Sequence, residues 1–215
     1  MSTRSDTQRP VRALARFAPP AHGRSAMWTL PNILTLARIV AVIPVVALIE
    51  ARQWVAALAL FAAAALTDFL DGWIARRWHL QSEFGRFLDP LADKIMVAGA
   101  LIAIVDTHAV EDAAVVPVIA IVAREIAVAG LREYLGPNGI VVHVTRLAKW
   151  KTATQLVAVG ASIAAPLAVS LAPPLSTQVF VTAMLAVGLL WLAALLAWIS
   201  AWGYFRSGLA HMSAS

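Results

Sequence analysis

The chain has 215 residues, of which 60% are hydrophobic and only 13% charged, with a net charge of +5 and no cysteine. A soluble domain carries roughly a quarter charged residues, so this composition belongs to an integral membrane protein. The lack of cysteine excludes disulfides, thiolate metal sites and cysteine nucleophiles.

Residues 1–29 hold Arg4, Arg9, Arg12, Arg16 and Arg24 and no long apolar run. They lack the apolar core and small-residue cleavage site of a signal peptide. Residues 9–17 read equally as a basic amphipathic helix lying on anionic lipid or as a disordered tail. Six apolar stretches follow, at 30–50, 54–76, 88–106, 113–134, 147–170 and 177–203. Each approaches the about 20 residues that a hydrocarbon core requires. The expected fold is all-α, a polytopic membrane bundle of six transmembrane helices over residues 30–205. A basic arm (1–29) precedes it and a short tail (206–215) follows. Gly136-Pro137-Asn138-Gly139 and Pro173-Pro174 mark short connections with no room for a second domain. Alanines at 62–65 suit close helix packing, and Trp28, Trp54, Trp78 and Trp202 fall near span ends, as interfacial anchors do.

Six spans also sort the charges. Of 17 basic residues, 13 then share one side: the five of the arm, Arg76, Arg77, Arg86, Arg132, Arg146, Lys149, Lys151 and Arg206. The other side has Arg52 alone, beside Glu50, Asp106, Glu111 and Asp112. The positive-inside rule puts both termini in the cytoplasm and the chain in a bacterial-type inner membrane. The basic side is read as topology and not as a nucleic-acid surface.

Four aspartates stand out in the string Asp68-x2-Asp71-Gly72-x2-Ala75-Arg76-x8-Gly85-x3-Asp89-x3-Asp93. Carboxylates three and four apart share a helical face, so two helices present two pairs. Asp68 lies 13 residues past Val55, about 20 Å along a helix, in the cytoplasmic third of a core about 30 Å thick. Two aspartates at a span centre cost on the order of 5–7 kcal/mol, more than the roughly 4 kcal/mol that the apolar residues of this span return. The acids therefore face the interior and need compensating cations, and hard oxygen donors favour Mg²⁺ or Mn²⁺. Gly72 leaves room for a ligand, and Arg76 is available for a phosphate. Gly85 relaxes the connection between spans, and Pro90 suits a first helical turn. Ser82 reads either as a nucleotide contact or as a plain loop residue.

This string resembles the signature of the CDP-alcohol phosphatidyltransferase family at every defined position. Supporting marks are Leu30-Pro31-Asn32-Ile33-Leu34-Thr35-x2-Arg38, Arg124-Glu125-Ile126 with Leu131-Arg132-Glu133, and Lys149-x-Lys151-Thr152. The resemblance implies transfer of a phosphatidyl group from CDP-diacylglycerol to an alcohol with release of CMP, and the surrounding marks favour glycerol 3-phosphate as that alcohol. Inositol phosphate, serine and phosphatidylglycerol are the alternatives within the family. It implies that Asp68, Asp71 and Asp89 ligate two divalent ions and that Asp93 is the catalytic base, on or near a metal as well. Asn32, Thr35, Gly72, Arg76, Ser82 and Gly85 would contact CDP-diacylglycerol, and Arg124, Arg132, Lys149 and Lys151 would supply the acceptor-phosphate pocket. A homodimer in contact with membrane lipids is implied too.

Plainer readings stand beside these. Intramembrane acids also mark ion-coupled carriers. Arg124 has Glu125 as a neighbouring partner. Arg38 either meets headgroups or snorkels to an interface. Lys94 pairs with an acid, and Lys149 and Lys151 follow from topology alone. Thr67 either lines the site or bonds back to its own helix. His22, His79, His108, His143 and His211 fall in loops or tails without ligand spacing.

Overall fold

The computed structural model describes residues 30–77, 83–110, 112–136, 146–171 and 177–212. Among them the regular elements are helical, with no strand: α1 (Leu30–Glu50), α2 (Trp54–Arg77), α3 (Glu83–Asp106), a 3₁₀ turn (Asp112–Ala114), α4 (Val115–Leu135), α5 (Arg146–Leu171) and α6 (Thr177–Met212). The six long helices stand on the six apolar stretches of the sequence. Three contain stretches long and apolar enough to cross a membrane, Asn32–Glu50, Trp150–Leu171 and Thr177–Arg206, and α2 has a shorter apolar segment, Trp54–Asp68. The remaining helices are interrupted by charge: α3 carries Asp89, Asp93 and Lys94, and α4 carries Arg124, Glu125, Arg132 and Glu133.

Two helices differ from their expected bounds. α3 begins at Glu83 and not at 88, which takes Gly85 into the helix and leaves Pro90 well past the first turn. A lone glycine costs a helix about 1 kcal/mol relative to alanine, too little to stop one held by packing. α6 continues to Met212, so Arg206 and His211 belong to a helix and not to a tail. Nothing between 204 and 212 is a proline. Gly208 sits against α4, where an added Cβ would lie 2.6 Å from Leu131 Cδ1. The arm at 1–29, with the possible amphipathic segment at 9–17, lies outside the described residues, as do His79, Ser82, His143 and Pro173-Pro174.

The core forms where small residues let backbones approach. α5 and α6 pack most extensively, with Ala158, Val159, Ser162 and Ile163 buried on α5 and Ala186, Leu190, Ala193 and Ala197 buried on α6. α1 packs next most closely on α3, burying Val45, Ile49, Leu101 and Ile104. Gly99 permits this approach, since a Cβ there would stand 2.9 Å from Val42 Cγ1. α2 and α3, the helices bearing the aspartates, both pack on α1 and α5 but, among the described residues, hardly on each other.

At the opposite end, α1 and α3 stop in the same way. Arg52 N–H donates to the Ile49 carbonyl and Gln53 N–H to that of Leu48, both at 2.9 Å. His108 N–H donates to Val105 and Ala109 N–H to Ile104, both at 3.1 Å. These are paired Schellman caps, with Arg52 (φ 54°) and His108 (φ 51°) in the left-handed position that glycine usually fills. Arg52 Nη2 donates to the Thr107 carbonyl at 3.4 Å, linking the two caps.

Candidate active site

α1 brings a polar stripe into the bundle. Asn32, Thr35 and Arg38, at three-residue intervals, are buried, whereas Ile33, Leu36, Val40 and Ile43 face outward. Arg38 Nη1 forms an ion pair with Asp68 Oδ1 on α2. The Arg38 side chain is 4% exposed and that of Asp68 44%. Arg38 therefore does not snorkel to an interface. A guanidinium in an apolar interior needs an acid, and Asp68 is that acid. The neighbouring Thr67 bonds back to its own helix, its Oγ1 donating to the Ala63 carbonyl at 2.7 Å.

Asp93 is half-buried on α3 and lies within electrostatic reach of Asp68, Lys151, Glu125 and Arg38. Acids of α2 and α3, six turns of chain and a connection apart, thus share one electrostatic neighbourhood. Lys94 lies within the same reach of Asp93, Glu125, Arg124 and Arg132. Lys94 thus has two acids and two arginines within reach.

A second ion cluster joins α4, α5 and α6. Glu125 Oε1 accepts from Arg124 Nη1 at 2.9 Å and also from Lys151 Nζ of α5. Arg124 is held at two further points on α6, its Nε donating to the Ala197 carbonyl and its Nη2 to Ser200 Oγ, each at 2.9 Å. Ser200 Oγ donates its own proton to Ala197 O at 2.8 Å, which turns a lone pair toward the guanidinium. Nearby, Trp198 Nε1 donates to the Ala120 carbonyl at 3.0 Å and strengthens the α4–α6 seam. The Arg124–Glu125 pair named as the plain alternative is present. Three of the five N–H donors of Arg124 are thereby engaged by protein acceptors.

All six helices supply a member of this polar region: Arg38, Asp68, Asp93, Arg124 with Glu125, Lys151, and Ser200. Asp71 follows Asp68 by three positions on α2, and Asp89 precedes Asp93 by four on α3. Their side chains lie outside the described residues, as do those of Arg76 and Lys149. Gly72 and Gly85 are described only as positions on α2 and α3. Among the described residues no three His, Cys, Asp or Glu side chains gather into a metal set. The donor chemistry nevertheless fits a hard divalent ion, because Asp68 and Asp93 bring carboxylate oxygens from separate helices to one region. Asp68 is itself half-exposed.

Sequence reasoning missed Ser200 and the Ala197 carbonyl, which sit in an unbroken apolar helix. It also missed the pairing of Arg38 with Asp68. The signal was present in both cases: each arginine within a span demands partners, and the partner for Arg38 had to come from another helix.

The bundle thus gathers acids, bases and a serine from six helices into one polar region. The chain belongs to the CDP-alcohol phosphatidyltransferase family, whose sequence profile matches residues 28–204. It is 37% identical over 216 residues to a CDP-diacylglycerol–glycerol-3-phosphate 3-phosphatidyltransferase of Cereibacter sphaeroides, covering 86% of this chain and 97% of that one. A protein of the same name from Rickettsia typhi is 37% identical over 186 residues, 84% of this chain and 97% of the relative. A cardiolipin synthase (CMP-forming) of Oryza sativa is 38% identical over 162 residues, 69% of this chain and 49% of that one.

Proposed function

We propose that this chain transfers the phosphatidyl group of CDP-diacylglycerol to sn-glycerol 3-phosphate, giving phosphatidylglycerophosphate and CMP. One observation carries the reading: relatives bearing that activity in their names align along nearly their whole length, 97% in two cases. The basic residues gathered beside Asp93 support a phosphorylated acceptor over serine.

The chemistry assigned to each group follows from charge. Asp68, Asp71, Asp89 and Asp93 would hold two divalent ions, Mg²⁺ or Mn²⁺, whose charge offsets that of the diphosphate when bound. Asn32, Thr35, Gly72, Arg76, Ser82 and Gly85 contact the CDP-lipid. Arg124, Arg132, Lys149 and Lys151 form the basic surround of the acceptor phosphate. Asp93 takes the proton of the acceptor hydroxyl, whose oxygen attacks the β-phosphorus. The new P–O bond forms as the bond to the CMP oxygen breaks, and CMP leaves with that electron pair. A single displacement inverts the configuration at phosphorus.

The six helices cross the inner membrane with both termini and the acidic site on the cytoplasmic side. The unit spans residues 30–205, and two copies pair through outward-facing apolar helix surfaces. Purified protein in detergent, assayed for CMP release across a panel of alcohols, tests the reaction. Release with glycerol 3-phosphate and not with serine, inositol phosphate or phosphatidylglycerol is expected. Release with one of these and none with glycerol 3-phosphate rejects the acceptor.

A further inference from the structure

Lys151 has two acids to choose between. Its ammonium is bonded to Glu125 Oε1, while Asp93 lies within electrostatic reach of the same ammonium without forming an ion pair with it. An unrestrained lysine is free to close onto either acid, and the bond to Glu125 decides where this ammonium stands. Glu125 is itself fixed. The oxygen that binds Lys151 also binds Arg124, whose guanidinium is tied to the Ala197 carbonyl and Ser200 Oγ of α6. The order of restraint therefore runs from α6 through Arg124 and Glu125 to Lys151. Side-chain exposures of 7% for Arg124, 14% for Glu125 and 8% for Lys151 mean that little water competes for these bonds.

We propose that Glu125 is a positioning residue, which holds the Lys151 ammonium off the Asp93 carboxylate and in place for the phosphate of the acceptor. The inference rests on the phosphatidyl-transfer reading and adds to it the residue that keeps base and cation apart. Glu125 touches neither reactant in this account and acts through Lys151. Ser200 acts one step further back, through Arg124.

The test is a double-mutant cycle on CMP release by the full-length protein in detergent, with glycerol 3-phosphate and CDP-diacylglycerol varied separately. Glu125→Gln is expected to raise KM for glycerol 3-phosphate by about tenfold or more and to lower kcat, given the worth of hydrogen bonds to charged groups. KM for CDP-diacylglycerol stays within about twofold, a split that general loosening of the fold does not produce. Lys151→Met raises the same KM, and the double variant Glu125→Gln/Lys151→Met is no worse than Lys151→Met alone, because Glu125 has lost the group it holds. Glu125→Asp recovers part of the loss. Should Glu125→Gln fail to fold, Ser200→Ala provides the second reading, with about a threefold rise in KM for glycerol 3-phosphate from loss of one hydrogen bond. Wild-type kinetics in Glu125→Gln, effects that multiply in the double variant, or an unchanged KM in both Glu125→Asp and Ser200→Ala overturns the proposal. Absence of wild-type turnover with glycerol 3-phosphate defeats the functional reading instead, so the two failures are distinct.

Discussion

Two ion pairs in this bundle are built alike and left in different states. Arg38–Asp68 joins a buried base to an acid that is 44% exposed, whereas the side chains of Arg124, Glu125 and Lys151 are 7%, 14% and 8% exposed. The first leaves its acid, Asp68 on α2, partly open. The second uses its acid as a rivet between α4 and α5, with α6 behind. Burial thus separates the two acids, Asp68 half-open and Glu125 enclosed. Sequence alone does not draw this line, because aspartate and glutamate within spans look equally anomalous.

The largest effect is expected at the open site. Asp93→Asn should lower turnover by about 10²–10⁴-fold, the usual contribution of a general base, while CDP-lipid binding persists. Retained turnover would leave Asp93 without a role as base. Next, the two pairs should respond oppositely to loss of an acid or base. Glu125→Leu strands Arg124 and Lys151 in a dry setting and should lower stability by about 3–5 kcal/mol, read from thermal unfolding in detergent. Asp68→Asn keeps an oxygen acceptor for Arg38 at a wetter position, so it should abolish activity with a much smaller shift in unfolding temperature. Equal shifts for the two variants would erase the distinction between open and closed pairs.

Smaller effects belong to the apolar frame. Gly99→Val should destabilise by about 1–3 kcal/mol through overpacking, since even a Cβ there would stand 2.9 Å from Val42. At the far caps, His108→Gly should stabilise by about 1 kcal/mol, because it relieves a left-handed residue at φ 51°. A lowered unfolding temperature in His108→Gly would mean that the histidine side chain, and not its backbone, matters there.

Much of this frame was legible from the pattern of apolar residues, which located all six helices. Their ends were less legible where charge and glycine interrupt the pattern without breaking the helix, as at Gly85 in α3 and between Arg206 and Met212 in α6. The aspartate spacing identified the acids, and the fold brings Asp68 and Asp93 into one region. What the sequence hid was partnership. Arg38 finds its acid 30 positions along the chain, and Arg124 finds two of its acceptors on α6, more than 70 residues away. Such pairings depend on how helices pack, which periodicity within one helix does not encode.

Dependence on divalent ions tests most directly whether the opposed acids of α2 and α3 form one working site. Purified protein stripped with EDTA and then titrated with Mg²⁺ or Mn²⁺ should lose CMP release from CDP-diacylglycerol and glycerol 3-phosphate on stripping, and regain it on titration. Full turnover in the stripped protein would contradict the account.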